Sequence, residues 1–308
     1  MSISQITLEI RDYINHPRVQ AGIMANRRDW MQICASLDII GDTELAINAY
    51  AKCPAPNYGD AYLQVFGLFQ SFFLQQDACK HMAEVLDIQL AEDAGLAEVR
   101  QTRNDIVGHP TKRGNNNART SHVMSRVSLT KWSVDVVSST RDTAEIEMRH
   151  IDFRRLNQMQ ADGITSHLQL ILTEIKNREK EHAMKYEDEK LADIFPQTLT
   201  YHCSKIFGGI RSASEIPMAQ ANVKYVRGCV EKFRQSLTDR GELPDNDNVL
   251  YHFNQLENPF NRIDEFLNGN SSLNEDDVYA IAFFLHAKLQ EMAEIAAEYD
   301  EHYANASA

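Results

Sequence analysis

The sequence lacks the cysteine spacings that mark metal sites and disulfide frameworks. Its five cysteines stand at positions 34, 53, 79, 203 and 229, with no C-x-x-C pair among them. Closely paired cysteines bind zinc, and a complete disulfide framework needs an even number of them. We therefore expect five reduced thiols packed in helices.

Long apolar runs are missing as well. No stretch approaches the roughly 18 apolar residues that a membrane-spanning helix needs. The first residues, MSISQITLEIRD, lack the basic-then-apolar order of a signal peptide. The sequence therefore predicts a cytoplasmic protein that makes no contact with a membrane.

The motifs of several common enzyme classes are also absent. No G-x-S-x-G nucleophile motif occurs, Gly208-Gly209 lacks the rest of a phosphate-binding loop, and His202-Cys203 lacks further ligands at metal spacing. The carboxyl-terminal half thus shows no recognised chemistry, and we expect no metal or other cofactor.

The chain does contain enough apolar sequence for a globular fold. Of its 308 residues, 43% are hydrophobic and 24% are charged, which fits one large or two modest domains. We predict a helical bundle at residues 1–120, a β meander at 121–150 and a helical region at 151–308.

Helical spacing of apolar residues predicts a mainly α fold. The predicted helices cover residues 3–14, 18–50, 62–86, 164–195, 218–237, 249–267 and 274–300. Residues 62–86 are apolar nearly all round, so this helix must be central or face a second copy of itself. The second half of residues 164–195 is charged nearly everywhere, which is typical of a solvated arm or a partner-binding surface.

A small sheet is predicted between the two helical regions, because the apolar period changes to two after residue 117. Three strands with a turn at residues 138–142 form an antiparallel meander. The apolar residues on one side of each strand are, in order, Val123, Val127 and Leu129 in the first strand, Trp132, Val134 and Val136 in the second, and Ala144, Ile146 and Met148 in the third. His122 and Arg126 lie opposite Val123 and Val127, where they face either a substrate or solvent.

One short segment combines several groups suited to phosphate chemistry. Residues 103–109 read Arg-Asn-Asp-Ile-Val-Gly-His and are followed by Pro-Thr-Lys-Arg. The guanidinium of Arg103 fits a phosphate through two parallel hydrogen bonds, and a histidine such as His109 normally exchanges protons near neutral pH. Together they indicate phosphodiester cleavage without a metal.

The same segment carries signals for a helix that ends just before His109. Asp93 is a plausible N-cap, Gly108 is the residue type favoured just past a C-terminus, and Pro110 disfavours the α conformation at His109. In an unbroken helix of about 3.6 residues per turn, Arg103 and His109 would be splayed by roughly 120°. The break allows both groups to converge on one phosphate.

Arg103 also has an ordinary structural interpretation. It lies on the apolar stripe of its helix, so its charge must meet an acid, line a cleft or face a partner subunit. Asp105 or a carboxylate of another helix would serve as the acid, or the long side chain could reach out to water.

Arg103-Asn104 followed by His109 resembles the R-polar-x(4 to 6)-H motif of HEPN-domain proteins, and the resemblance covers about residues 20–113. It implies a helical bundle that dimerises so that two motifs face each other. Many family members are metal-independent ribonucleases of defence, toxin and RNA-processing systems, and others are noncatalytic binding modules. In one variant a partner enzyme modifies a tyrosine two residues after the histidine; Thr111 stands there in this chain.

The resemblance implies a role for each motif residue. His109 would act as general acid or base on the ribose 2′-hydroxyl or the leaving 5′-oxygen, Arg103 would stabilise charge at phosphorus, and Asn104 would hold the histidine or the phosphate. The product would carry a 2′,3′-cyclic phosphate. The basic residues expected to bind substrate are Lys112, Arg113, Arg119 and Arg126.

The distribution of charge is consistent with RNA as the partner. The chain has a net charge of −13, yet residues 99–131 contain seven basic residues and one acidic residue. A basic site on an acidic body would focus RNA at one place, although a basic loop can also balance acidic helices nearby. The sequence thus predicts a homodimeric endoribonuclease, with a protein antitoxin as a further possible partner. The alternative is a noncatalytic HEPN-like module that binds a nucleotide or a protein.

Overall fold

The computed structural model describes residues 1–112, 120–140, 146–243 and 246–307, and within them the chain is mainly helical with one small sheet, as predicted. The helices are α1 (Ile3–Ile14), α2 (Pro17–Met24), α3 (Arg27–Lys52), α4 (Tyr58–Val85), α5 (Ala94–Arg103), α6 (Phe153–Met184), α7 (Leu199–Arg211), α8 (Ile216–Asp239), α9 (Asp247–Leu267) and α10 (Glu275–Ser307). The strands are β1 (Thr120–Met124), β2 (Ser133–Thr140) and β3 (Ile146–Asp152).

The chain forms two compact units. Unit 1 comprises Met1–Asn15 and Ile23–Ile175, and unit 2 comprises His16–Gly22 and Lys176–Ala308. The domain boundaries expected from the sequence, near residues 120 and 150, stay a prediction.

Unit 1 has a helical core to which α3 contributes one face. Ile33, Leu37 and Ile40 are almost completely buried and pack with α1, α4 and α6. Burying each such side chain contributes about 1.5–3 kcal/mol. A second cluster, which includes Phe69 and Phe72 of α4, joins α5, the sheet and the start of α6. This cluster fixes α5, and therefore the predicted motif, against α4.

The sheet has the order β1-β2-β3 with both pairs antiparallel, which confirms the predicted meander. The predicted first strand is wrong beyond Met124, where β1 ends, because Val127 lies in a turn after the strand. Val134, Val136 and Ile151 are buried on its inner face, whereas Val123 and Met148 are exposed on the other face. The predicted turn at residues 138–142 is wrong at its start, because β2 continues through Thr140. Its end, and Ala144, lie outside the described residues.

Three helix predictions need correction. The predicted helix over residues 18–50 is two helices, because the side chain of Asn26 accepts a hydrogen bond from Arg28 N and starts α3. The helical region expected from residue 151 starts with α6 at Phe153, where Asp152 accepts from two backbone amides, but the long helix predicted to reach residue 195 ends at Met184. Helix α7 was not predicted from the sequence.

Helix α7 packs closely on α8 in unit 2. A side chain at Gly209 would overlap Ala219, so the adjacent glycines that obscured this helix in the sequence allow the close approach. The buried residues of α7 that keep helical spacing are Leu199, Cys203, Ile206 and Ile210.

The five cysteines are free thiols, but Cys53 is exposed at the end of α3 rather than packed in a helix. No helix in the described part of the chain is long and apolar enough to span a bilayer.

Candidate functional site

Helix α5 begins where the sequence predicts. The side chain of Asp93 accepts a hydrogen bond of 2.8 Å from Leu96 N, which satisfies one of the free amides at the helix start. Val99 is buried against the aromatic cluster of α4. The helix is therefore fixed at its start and along one face, and its last residue is Arg103.

The segment after α5 forms a π-helical turn over Asn104–Gly108. His109 N donates to Asn104 O at 2.8 Å, a bond that spans five residues rather than the four of an α-helix. The helical conformation ends at His109, whose φ of −139° and ψ of 52° are not helical. The side chain of His109 is exposed to solvent, immediately after a wide turn of a kind that occurs frequently at functional sites.

Arg103 is held by uncharged groups. Its Nη2 donates to Gln70 Oε1 at 2.9 Å, its Nη1 donates to Asn104 Oδ1 at 3.1 Å, and its guanidinium carbon lies 4.2 Å from the centre of the Phe73 ring. Its Nε is buried and has no hydrogen-bond partner in the described structure. The guanidinium is therefore oriented by neutral partners, and its positive charge is not offset by a contacting carboxylate among the described residues.

Gly108 allows the guanidinium to approach the π turn. A Cβ placed on Gly108 would lie 2.7 Å from Arg103 Nη1 and 3.4 Å from Asn104 Oδ1. Any other residue would require the end of the Arg103 side chain to move. The structure thus places the guanidinium against the residue that directly precedes His109.

Asp105 does not pair with Arg103, so the ordinary ion pair considered from the sequence is not formed. Its carboxylate is buried and accepts a hydrogen bond of 2.9 Å from Arg149 Nη2 of β3. Gln101 also donates to it, at 3.2 Å, and His122 Nε2 lies 3.6 Å away. The negative charge next to the motif is therefore directed toward the sheet.

His122 lies on the inner face of the sheet. Its side chain is 10% exposed, and its Nδ1 is 2.8 Å from Ser138 Oγ. Its backbone N donates to Pro110 O at 2.7 Å, which joins β1 to the residue after His109. The solvated position that the sequence allowed for His122 is therefore wrong.

The basic residues proposed for substrate binding have different surroundings. Lys112 and Arg126 are exposed, whereas Arg113 and Arg119 lie outside the described residues. Arg100, which also contributes to the local positive charge, forms an ion pair with Asp77 of α4. Part of the local positive charge is thus neutralised within unit 1.

Sequence reasoning missed three residues that shape the site. Gln70 and Phe73 appeared to be core residues of an apolar helix, and Arg149 belonged to a strand that showed only its apolar alternation. Gln70 was the available signal, since it is a polar residue within the largely apolar helix α4.

No cluster of three or more His, Cys, Asp or Glu side chains in the described ranges is arranged to hold a metal ion. Comparisons with protein-family models, curated proteins and solved structures found no match to this chain.

Proposed function

We propose that the protein is a metal-independent endoribonuclease of HEPN type, in which Arg103 and His109 act on one phosphodiester. The observation that carries this proposal is the surroundings of Arg103. A guanidinium oriented by two amides and an aromatic ring has a positive charge that no carboxylate among the described residues neutralises, so it can bind an anionic ligand. The charge of a guanidinium paired with a buried acid is already neutralised.

In the proposed reaction His109 takes the proton from a ribose 2′-hydroxyl, and the oxygen attacks the adjacent phosphorus. A bond forms between O2′ and phosphorus as the bond from phosphorus to O5′ breaks. The imidazolium that His109 has become then gives this proton to the leaving O5′, which returns His109 to its neutral form. Arg103 stabilises the charge that accumulates on the phosphoryl oxygens, and Asn104 keeps the guanidinium in place. The products are a 2′,3′-cyclic phosphate and a free 5′-hydroxyl.

The proposal includes a homodimer through α4. Its residues Leu63, Phe66, Gln70 and Leu74 recur at the spacing of one helical face. Leu63 is 72% exposed and Phe66 is 41% exposed. Gln70 on this face holds Arg103, so a second copy packed here would lie beside the first copy's motif.

We further propose that Lys112 and Arg126, with Arg113 and Arg119, bind the phosphates that flank the cleaved bond. Phosphate contacts from exposed basic side chains supply most sequence-independent affinity for nucleic acid. A cytoplasmic defence or toxin system, with a protein antitoxin as partner, is the setting that the family resemblance suggests.

The test is cleavage of a mixed RNA substrate in excess EDTA by the purified full-length protein. We expect His109→Ala to slow cleavage by about 100-fold or more, the usual contribution of a general acid or base. Arg103→Ala is expected to do the same. Arg103→Lys, which keeps the charge but loses the forked donor, should give an intermediate rate.

Two variants serve as matched controls. His150 and Arg28 are exposed on β3 and α3, and their alanine variants should cut at the wild-type rate. Because Arg103 also packs on Phe73, the melting of each variant is compared with that of the wild type. Intact RNA after incubation with the wild type, or cleavage by the His109→Ala and Arg103→Ala variants at the wild-type rate, would contradict the proposal. RNA binding without cleavage would instead favour the noncatalytic module.

A further inference from the structure

A basic surface with exposed aromatic rings lies on α7 and α8 of unit 2. Residues 199–234, which contain both helices up to Arg234, carry six basic and two acidic residues, in a chain whose net charge is −13. Tyr201 is 53% exposed and Tyr225 is 47% exposed. Two half-exposed aromatic side chains therefore lie within a locally basic stretch of the chain.

The rings on this surface are arranged in a row. Tyr225 stacks on His202 with ring centres 4.4 Å apart and an interplanar angle of 28°. Tyr201 contacts the His202 ring edge-on, with ring centres 5.7 Å apart. Stacking occupies one face of Tyr225, and the exposure of this residue leaves surface for a further ring.

The row is fixed in place by a buried amide. His202 Nδ1 is 2.6 Å from Asn222 Oδ1, and Asn222 Nδ2 donates to Met218 O at 2.7 Å. Asn222 is buried, so the imidazole against which Tyr225 stacks has one orientation. A stacking surface that is rigid before binding loses little entropy when a ligand binds.

Lysines flank the rings. Lys205 Nζ lies 5.2 Å from the centre of the Tyr201 ring. Lys224 and Lys232 line a cavity of about 600 Å³ together with Tyr225 and one acidic residue, Asp193. The other basic residues of this surface are less available, since Arg227 pairs with Asp264 and Arg211 lies over Tyr279.

We propose that α7 and α8 bind single-stranded RNA, with bases stacked on Tyr201 and Tyr225 and phosphates at Lys205, Lys224 and Lys232. Aromatic platforms beside lysines bind single strands because every base has a stacking face and every linkage carries a negative charge. An acidic peptide would use the lysines but not the rings. The choice of RNA over DNA rests on the proposed function. The proposal that this surface binds a single strand rests only on the rings and lysines described above.

The test measures fluorescence anisotropy of a labelled adenosine oligoribonucleotide of about 12 nucleotides, a length that spans a typical single-strand site. The full-length His109→Ala protein is used so that the probe stays intact. Introducing Tyr225→Ala should weaken binding by about tenfold, the loss of one stacked base. Tyr225→Trp should restore it. Tyr251→Ala, which removes another exposed tyrosine, on α9, should bind as the parent does.

The lysines are tested through salt. Lys224→Ala and Lys232→Ala should each lower the slope of log affinity against log salt by about 0.7, the value for one phosphate contact on a single strand. A Tyr225→Ala protein that binds like its parent, a duplex that binds as tightly as the single strand, or no binding at all would overturn the inference.

Failure of the inference and failure of the proposed function are distinguishable. Tyr225-dependent binding by a protein that leaves RNA intact in EDTA would sink the nuclease proposal and keep this site. Cleavage by the wild type, with binding unaffected by Tyr225→Ala, would support the nuclease proposal and contradict the binding site on α7 and α8.

Discussion

Arg149 of β3 donates a hydrogen bond of 2.9 Å to the carboxylate of Asp105, in the turn between Arg103 and His109. The two residues are 44 positions apart in the sequence. This contact, with the backbone bond from His122 to Pro110, joins the sheet to the motif at both ends of the turn. It also directs the only acidic side chain of the motif away from Arg103.

Arg149→Ala should destabilise unit 1. The substitution removes a charged donor from a carboxylate that is 2% exposed, and such a loss costs about 1–3 kcal/mol. Trp30 and Trp132, the two tryptophans of the chain, both lie in unit 1, so urea unfolding followed by tryptophan fluorescence reports on this unit. Arg262→Ala removes an exposed ion pair of α9 and should leave this transition unchanged. An Arg149 variant with wild-type stability would contradict the structural role.

Gly108→Ala should impair cleavage more than stability. The new Cβ would lie 2.7 Å from Arg103 Nη1, and the flexible guanidinium can move away at small energetic cost, which displaces it from the site. We expect slower RNA cleavage with a nearly unchanged tryptophan-monitored transition. Gly41→Ala on α3, where nothing lies within 4 Å of the new Cβ, should instead be stabilising by about 0.5–1 kcal/mol and leave cleavage unchanged. Equal rates for both variants would count against the placement of Arg103.

The parts of the site that depend on neighbours in the sequence were predictable. Asp93 starts α5 and the helical conformation ends at His109, because caps and breaks involve residues within one turn. The π form of the last turn was not predictable. In a π turn each amide bonds the carbonyl five residues back instead of four. The residue types found in such a turn also occur at ordinary helix ends, so the sequence does not mark it.

The partners of the charged groups could not be read from the sequence either. Gln70 lies 33 positions before Arg103, and Arg149 lies 44 positions after Asp105. Apolar periodicity predicts which face of an element is buried, but it does not specify which polar groups meet across two elements. Likewise, the alternation in β1 indicated two faces, and only the pairing with β2 placed His122 on the inner one.

Leu63→Glu should dissociate the proposed dimer. A charge at the centre of an apolar contact is costly to bury, so sedimentation velocity should show a shift from dimer to monomer. Leu45→Glu introduces the same charge at an equally exposed leucine of α3 and should leave the dimer intact. A wild-type protein that sediments as a monomer at all concentrations would rule out the dimer.

Unit 2 should lose stability in mild acid through His16. Burial, and then the neighbouring His302, lower the pKa of His16 from 6.5 to about 4. The folded state therefore binds this proton less well than the unfolded state, so the contribution is complete above pH 6.5 and is lost as pH falls toward 4. Unfolding by urea, followed by far-ultraviolet circular dichroism, should show a smaller loss between about pH 7 and pH 5 for His16→Gln than for the wild type.

The comparison of His16→Gln with the wild type separates the effect of His16 on stability from that of Glu242, which acts in the opposite direction. Burial raises the pKa of Glu242, so this carboxyl group is less unfavourable in the folded state as the pH falls. Tryptophan fluorescence, which reports on unit 1, provides the internal control. Identical pH dependence in His16→Gln and wild type would contradict the assignment.

The most direct test of the central claim uses a DNA oligonucleotide that contains one ribonucleotide, incubated with the wild-type protein in excess EDTA. If His109 activates a 2′-hydroxyl while Arg103 stabilises the phosphorus centre, mass spectrometry should find a single cut after the ribonucleotide. The product should end in a 2′,3′-cyclic phosphate, and His109→Ala should form it about 100-fold more slowly or not at all. A 3′-hydroxyl product, cuts at deoxynucleotides, or the same product formed by His109→Ala at the wild-type rate would contradict the account.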